Sequence, residues 1–256
     1  MLPWVTLDRA RSTDGSELAL ARRGEQFAIR VDGQELMNSD SHGSEEKLAR
    51  YGCAGLRDVP QARVLVGGLG MGFTARAALN ELGPDARVDV VELVGAVVRW
   101  NREVIGHLAE APLVDERLRV IEGDVGDTLA RADGDYDAVL LDVDNGPTAL
   151  TSFTNQRLYT PDGLRVALRA LRPRGTLAVW SAFEASAFTT RLVQAGAKVE
   201  VKRVLAHAGA HARHVLWLAR PLPSSPRRAG RATVSSWASF GGPATTVADH
   251  GGEDGE

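Results

Sequence analysis

The run Arg63-Val64-Leu65-Val66-Gly67-Gly68-Leu69-Gly70-Met71-Gly72 opens a helix-forming segment, which is followed by Val88-Asp89-Val90-Val91-Glu92. An apolar strand that ends in glycines and turns into a helix brings backbone close to a ligand and aims the helix N-terminus at it. An acid that ends the next strand can accept hydrogen bonds from two ribose hydroxyls. The letters read as GxGxG at Gly68, Gly70 and Gly72, and also as GxGxxA from Gly70 to Ala75. Glu92 lies about twenty positions on, the spacing of a nucleoside-binding unit.

The same alternation continues downstream. Strands are expected at Val64–Gly67, Val88–Leu93, Leu118–Glu122, Tyr136–Leu141 and Thr176–Trp180, and helices at Phe73–Leu82, Ala96–Leu108, Val125–Ala132 and Asp162–Leu171. The strands are nearly continuous apolar runs, the mark of a parallel sheet buried on both faces. This predicts an α/β, doubly wound, Rossmann-like domain. After a helix at Ala185–Ala195, the runs Lys198–Leu205 and His214–Ala219 are joined by a link too short for a parallel crossover, so the sheet should end in an antiparallel hairpin.

Upstream, Trp4–Leu7, Glu17–Ala21 and Gln26–Val31, with the turn signal Asp32-Gly33, predict a small antiparallel sheet. Ser44–Tyr51 reads as a helix with Ser44 as its cap. The chain thus divides into an N-terminal β region over 1–42, the nucleoside-binding domain over 43–220 and a tail over 221–256. That tail is rich in Pro, Ser, Gly and Arg and is expected to be disordered.

At 256 residues and 44% hydrophobic content, the chain has material for one sizeable core. A net charge of -3 gives no global attraction to nucleic acid, and no run of apolar residues is long enough to span a membrane, so the expectation is a soluble, cytoplasmic protein. Cys53, the single cysteine, has apolar neighbours and reads as a packed thiol. His207, His211 and His214 have ligand-like spacing but no accompanying acid or cysteine, so no metal is expected.

Three acidic positions fall on the crevice side of the sheet. Asp124 ends the third parallel strand, where it either reads an adenine amino group or caps the helix at Val125. Asp142 and Asp144 follow the fourth strand in Asp142-Val143-Asp144-Asn145-Gly146-Pro147. They can bind an amine, accept its proton or orient it, or they can serve the turn before Pro147.

From Asp32 to about Arg220 these motifs resemble the spermidine synthase-like branch of class I S-adenosylmethionine-dependent transferases. The matching pieces are Val31-Asp32-Gly33, Gly67–Gly72, Val91-Glu92-Leu93, Glu122-Gly123-Asp124, Tyr136–Asp142 and Leu171–Leu177. The resemblance implies that Gly68, Gly70 and Gly72 cradle the cofactor, Glu92 holds its ribose, Asp124 its adenine, and Asp142 faces a reacting amine with Asp144 in support. It also implies a small-molecule acceptor and is consistent with a homodimer. The family's Tyr-His-Glu triplet stands here as Ser44-Glu45-Glu46, which makes Glu46 the matching substrate acid. The family's glycine loop, GGGDG, carries an acid that holds the amine of decarboxylated S-adenosylmethionine, and Gly70 stands at that place.

The missing loop acid favours intact S-adenosylmethionine and methyl transfer, because an acid there would repel the methionine carboxylate. The alternative is a genuine aminopropyltransferase using the decarboxylated form, its amine pocket rebuilt from Glu45, Glu46, Asp142 and Asp144. A third reading is a nucleoside-binding module without chemistry. A nicotinamide dinucleotide fits less well, since Phe73 stands where GxGxxG needs its third glycine.

Overall fold

Five parallel strands carry the molecule: β5 (Arg63–Gly67), β6 (Arg87–Glu92), β7 (Leu118–Glu122), β8 (Tyr136–Leu141) and β9 (Leu171–Ser181). β10 (Ala197–Leu205) and β11 (Arg213–Pro221) complete a seven-stranded sheet of order β10-β11-β9-β8-β5-β6-β7, in which β11 pairs antiparallel with β9 and with β10. The computed structural model describes residues 2–143, 146–147, 156–207 and 209–222. All of these fall in one compact unit, Met1–Pro223. The expected tail beyond Leu222, and Asp144, lie outside the described residues.

Alternation along each buried strand sorts the core into two layers. Val64, Val66, Val88, Val90, Ala138 and Leu140 point to the side covered by α1 (Gly43–Gly52), α2 (Phe73–Glu81) and α3 (Gly95–Trp100). Leu65, Val91, Val139, Leu141, Leu177 and Val179 point to the other side, under α4 (Val125–Arg131), α5 (Pro161–Arg169) and α6 (Ser186–Gln194). On that second side Phe188 is fully buried, with Tyr159 and Trp217 edge-on to it at 5.7 and 5.0 Å. Such ring pairs add about 0.5–1.5 kcal/mol each beyond the area they bury. Cys53 is buried in the first layer, and burial pushes its thiol up to about 12, as a packed sulfur rather than a nucleophile.

The N-terminal region forms a separate antiparallel sheet in the order β1 (Val5–Arg11), β2 (Glu17–Arg23), β3 (Gln26–Val31) and β4 (Gln34–Asn38). Asp32 and Gly33, both at positive φ, make the β3–β4 turn, and Leu18, Leu20, Phe27 and Ile29 join the first core layer.

Two local expectations need correcting. The helix expected over Ala96–Leu108 stops as a regular α-helix at Trp100, continues as a π-helical turn over Asn101–Ile105 and tightens over Gly106–Ala109. Its cause is visible at Asn101, whose Nδ2 donates to Val97 O at 2.9 Å and to Gly70 O at 2.8 Å and so ties the turn to the glycine loop. Ser44 does not cap α1. It lies inside the helix, fully buried, with other work for its hydroxyl.

Candidate active site

The chain runs from β5 outward to β7 and returns to place β8 on the other side of β5, so loops diverge at the carboxyl ends of β5 and β8. A crevice opens at such a switch point. Here it is roofed by the N-terminal sheet through Leu18, Ile29 and Met37. Gly68, Gly70, Glu92, Asp124 and Asp142 all line it.

At Gly68 the backbone is left-handed (φ +88°), and an added Cβ would lie 2.5 Å from Asp142 O. Only glycine lets the two strand-end loops pass this closely. The register is locked by Gly68 N donating to Val91 O and Asp142 N donating to Gly67 O, both at 2.9 Å. Gly72, also left-handed, precedes the first turn of α2, in which Thr74 meets Asp142.

The carboxylate of Glu92 is only 8% exposed, and it is met by main chain. Leu69 N donates to Oε2 and Val94 N to Oε1, each at 2.9 Å. Burial raises its pKa, and these amide donors oppose that rise. Each oxygen keeps acceptor capacity beside the cavity, as a ribose diol requires.

Asp124 caps α4 through Oδ1, which accepts from Gly126 N at 2.7 Å and Asp127 N at 3.4 Å. Arg157 Nη2 lies 2.7 Å from the same oxygen. The capping geometry is thus present at a residue that also lines the crevice, so its effect on a bound base would be joint with that of the loop it fixes.

Farther in, a small recess shares Met37, Gly70 and Asp142 with the crevice and adds Glu45, Phe73 and Thr74. Thr74 Oγ1 donates to Asp142 Oδ2 at 2.5 Å, and Ser44 Oγ meets Glu45 Oε2 at 2.5 Å. Burial, then the charge of Asp142, pushes Glu45 up to about 8; burial pushes Asp142 up to about 6, against the pull of the Thr74 hydroxyl. Among the described residues no lysine or arginine forms an ion pair with either acid. Two carboxylates facing one recess without a cation keep one proton between them near neutral pH.

Met37 occupies the space over Gly70, where an added Cβ would come within 2.8 Å of the methionine Cε. Glu46, one residue past Glu45, turns outward to a separate cleft and pairs with His42 Nδ1 at 2.7 Å. Its neighbour Glu45 is therefore the α1 acid that the helix phase brings to the recess, and Thr74 and Met37 join it from segments no strand-end motif marks. The histidines 207, 211 and 214 do not gather, and no cluster among the described residues could hold a metal ion. No helix among them is long and apolar enough to cross a membrane.

No family model and no curated protein matches the chain in sequence. Solved structures do match in three dimensions. A spermidine synthase in complex with the transition-state analogue AdoDATO superposes with a TM-score of 0.67 at 15% identity, covering 84% of this chain and 71% of that one. The spermidine synthase from Thermotoga maritima gives 0.68 at 16% identity, covering 84% and 72%. A probable spermidine synthase from Corynebacterium glutamicum ATCC 13032 gives 0.60 at 16%, covering 84% and 79%. The chain has a spermidine synthase-like, Rossmann-type fold.

Proposed function

We propose that this protein is a polyamine-type aminopropyltransferase, using decarboxylated S-adenosylmethionine and a small amine acceptor. The observation that carries the reading is the Glu45–Asp142 recess beside the strand-end crevice that Gly68 and Glu92 line. A buried acid pair with no cation of its own is complementary to an ammonium group and hostile to a carboxylate.

That reverses the weight of the Gly70 argument. The absence of an acid in the glycine loop favours methyl transfer only while nothing replaces it, and Glu45 brings a second acid to the same recess from α1. An intact methionine tail would set its carboxylate against two acids. Spermidine synthases as structural neighbours point the same way.

In this reading Glu92 holds the ribose, the Gly68–Gly72 loop lies along the nucleoside and Asp142 accepts from the attacking nitrogen. The cosubstrate supplies an activated carbon beside its sulfonium. The protein contributes alignment of that carbon with the amine, removal of a proton and exclusion of water. Met37 and Leu18 of the roof make the apolar lid that the last of these needs.

Incubation with decarboxylated S-adenosylmethionine and a panel of diamines and polyamines, followed by mass spectrometry, tests the reading. Methylthioadenosine and an acceptor heavier by one aminopropyl group are expected. Turnover only with intact S-adenosylmethionine, yielding a methylated acceptor, would overturn it.

A further inference from the structure

We infer that Ser44 and His214 form a relay that carries the acceptor's proton from Glu45 to the protein surface. The inference rests on the aminopropyl-transfer reading for its purpose, and on the geometry around Ser44 for its parts.

The Ser44 hydroxyl is completely buried and has three partners: Trp180 Nε1 at 3.0 Å, Glu45 Oε2 at 2.5 Å and His214 Nδ1 at 2.8 Å. An indole N–H only donates, so Trp180 takes one of the two oxygen lone pairs. One lone pair and one proton are left for the other two partners. Glu45 and His214 therefore cannot both donate to Ser44, nor can it donate to both.

Two arrangements satisfy every group. In the first, protonated Glu45 donates to Ser44, which donates to a bare Nδ1. In the second, His214, as the imidazolium or as its neutral Nδ1–H tautomer, donates from Nδ1 to Ser44, which donates to the Glu45 carboxylate. With the imidazolium the two differ by one proton shifted along Glu45–Ser44–His214, with every heavy atom in place. A buried serine needs only one or two such bonds for stability, and this one joins the recess acid to a titrating ring.

His214 is the second residue of β11 and is partly exposed, its ring edge-on to Trp180 at 4.8 Å. It thus spans from the buried hydroxyl toward solvent. Burial lowers its pKa from the ordinary 6.5 and pushes Glu45 past it, to about 8, so the proton rests on Glu45 and occupies the ring only in passing. Charged groups also stand on the elements packed there. Lys47 of α1 reaches Leu205 O, and Arg203 of β10 is held by Glu184. Arg213 precedes His214 on its own strand, and His207 follows the end of β10.

Proton balance requires such an outlet. An acceptor ammonium first loses one proton to the Glu45–Asp142 pair. The freed nitrogen lone pair then forms the new bond to carbon as the carbon–sulfur bond breaks, its electrons staying on sulfur as a neutral thioether. The product amine remains protonated, so each turnover leaves one proton in the recess. Glu45 passes it through Ser44 to Nδ1 of His214, and Nε2 releases its own proton to water.

Two measurements test this in the full chain. The first needs no turnover: NMR titration of labelled His214 in wild type, Glu45→Gln, Ser44→Ala and the double variant. When Glu45 ionises, the Ser44 proton turns to it and Nδ1 of His214 must carry the ring proton, so the ring should switch from its Nε2–H to its Nδ1–H form as pH rises through about 8 in wild type and should not switch in Glu45→Gln or Ser44→Ala. No switch in wild type, or the same switch in Ser44→Ala, would overturn the relay. The second is kinetic. His214→Ala should lower kcat about tenfold or more with KM little changed, and added imidazoles should restore it in proportion to their basicity. His214→Gln, which preserves polarity and bulk, should stay slow. Wild-type kcat and pH profile in both variants would refute the relay. If wild-type protein transfers no aminopropyl group at all, the functional reading fails instead, and the NMR cycle still decides whether the proton is shared.

Discussion

Asp89 and the Glu45–Asp142 pair are buried acids treated in opposite ways. Asp89, in the middle of β6 and 5% exposed, is surrounded by donors of the protein's own: Arg63 at 3.3 Å, Arg119 at 3.0 Å and the Tyr136 hydroxyl at 3.2 Å. Glu45 and Asp142 have hydroxyls and each other. A carboxylate matched by its own cations is a structural device that joins neighbouring strands. A pair without them costs stability until something positive is bound, and proteins accept such costs where function requires them.

Four experiments can break or sharpen that contrast. The largest effect is expected at Asp142. Asp142→Asn should lower turnover by about 10²–10⁴-fold, the range for loss of a general base, while stability is nearly kept. Asp89→Asn should do the converse, leaving turnover near wild type and costing about 2 kcal/mol in urea unfolding for lost charged hydrogen bonds. If both variants lose activity alike, the division between a structural and a functional acid fails.

Next is Glu92→Gln, which keeps the shape but replaces one acceptor oxygen by a donor. Its affinity for the nucleoside should fall about 10–100-fold by calorimetry, the worth of one or two charged hydrogen bonds. The neutral nucleoside methylthioadenosine should show most of this loss, because the effect belongs to the ribose end and not to the recess.

A smaller effect is the pH dependence of the ligand-free protein. Glu45 and Asp142, at about 8 and about 6, lie above their ordinary 4.5 and 3.8. Folding thus takes up protons between those limits, and stability is lost as pH rises through that window and recovered as it falls. The double variant Glu45→Gln, Asp142→Asn should flatten this slope and gain on the order of 1 kcal/mol near pH 8. An unchanged slope would mean that the two acids are not strained as described. Amine binding should run the other way, strengthening as pH rises through about 6, because the cation binds once Asp142 is ionised.

The smallest effect is expected at Gly70. Gly70→Asp can keep a left-handed backbone at φ +51°, since Asp tolerates that region better than most residues, and only the flexible tip of Met37 stands in its way. With a cation site already supplied by α1, the added acid should change affinity for decarboxylated S-adenosylmethionine by less than about threefold. A large gain would mean that the recess lacks the amine anchor ascribed to Glu45.

What the sequence makes legible is whatever the backbone dictates locally. The parallel strands show as unbroken apolar runs, and Gly68, Glu92 and Asp142 stand at strand ends, where the topology gathers them. The closing hairpin follows from a link too short for a crossover. Less legible is what the docking of a helix decides. Glu45 and Glu46 are adjacent and chemically alike, and only the phase of α1 against β8 and β9 turns one inward and the other toward His42. The family pattern singles out Glu46, since it compares letters and not helix faces. Ser44 has the letter of a cap and the position of a buried hub, because its partners Trp180 and His214 come from β9 and β11. The break after Trp100 depends on Asn101 reaching a loop some thirty residues earlier, which no periodicity reports.

The most direct measurement is calorimetric titration of wild type and Glu45→Gln with intact and with decarboxylated S-adenosylmethionine. Wild type should bind the decarboxylated form more tightly by about tenfold or more, and Glu45→Gln should erase most of that preference. Tighter binding of the intact form by wild type, or a preference unchanged in Glu45→Gln, would contradict the assignment of the recess as a site for a cationic amine.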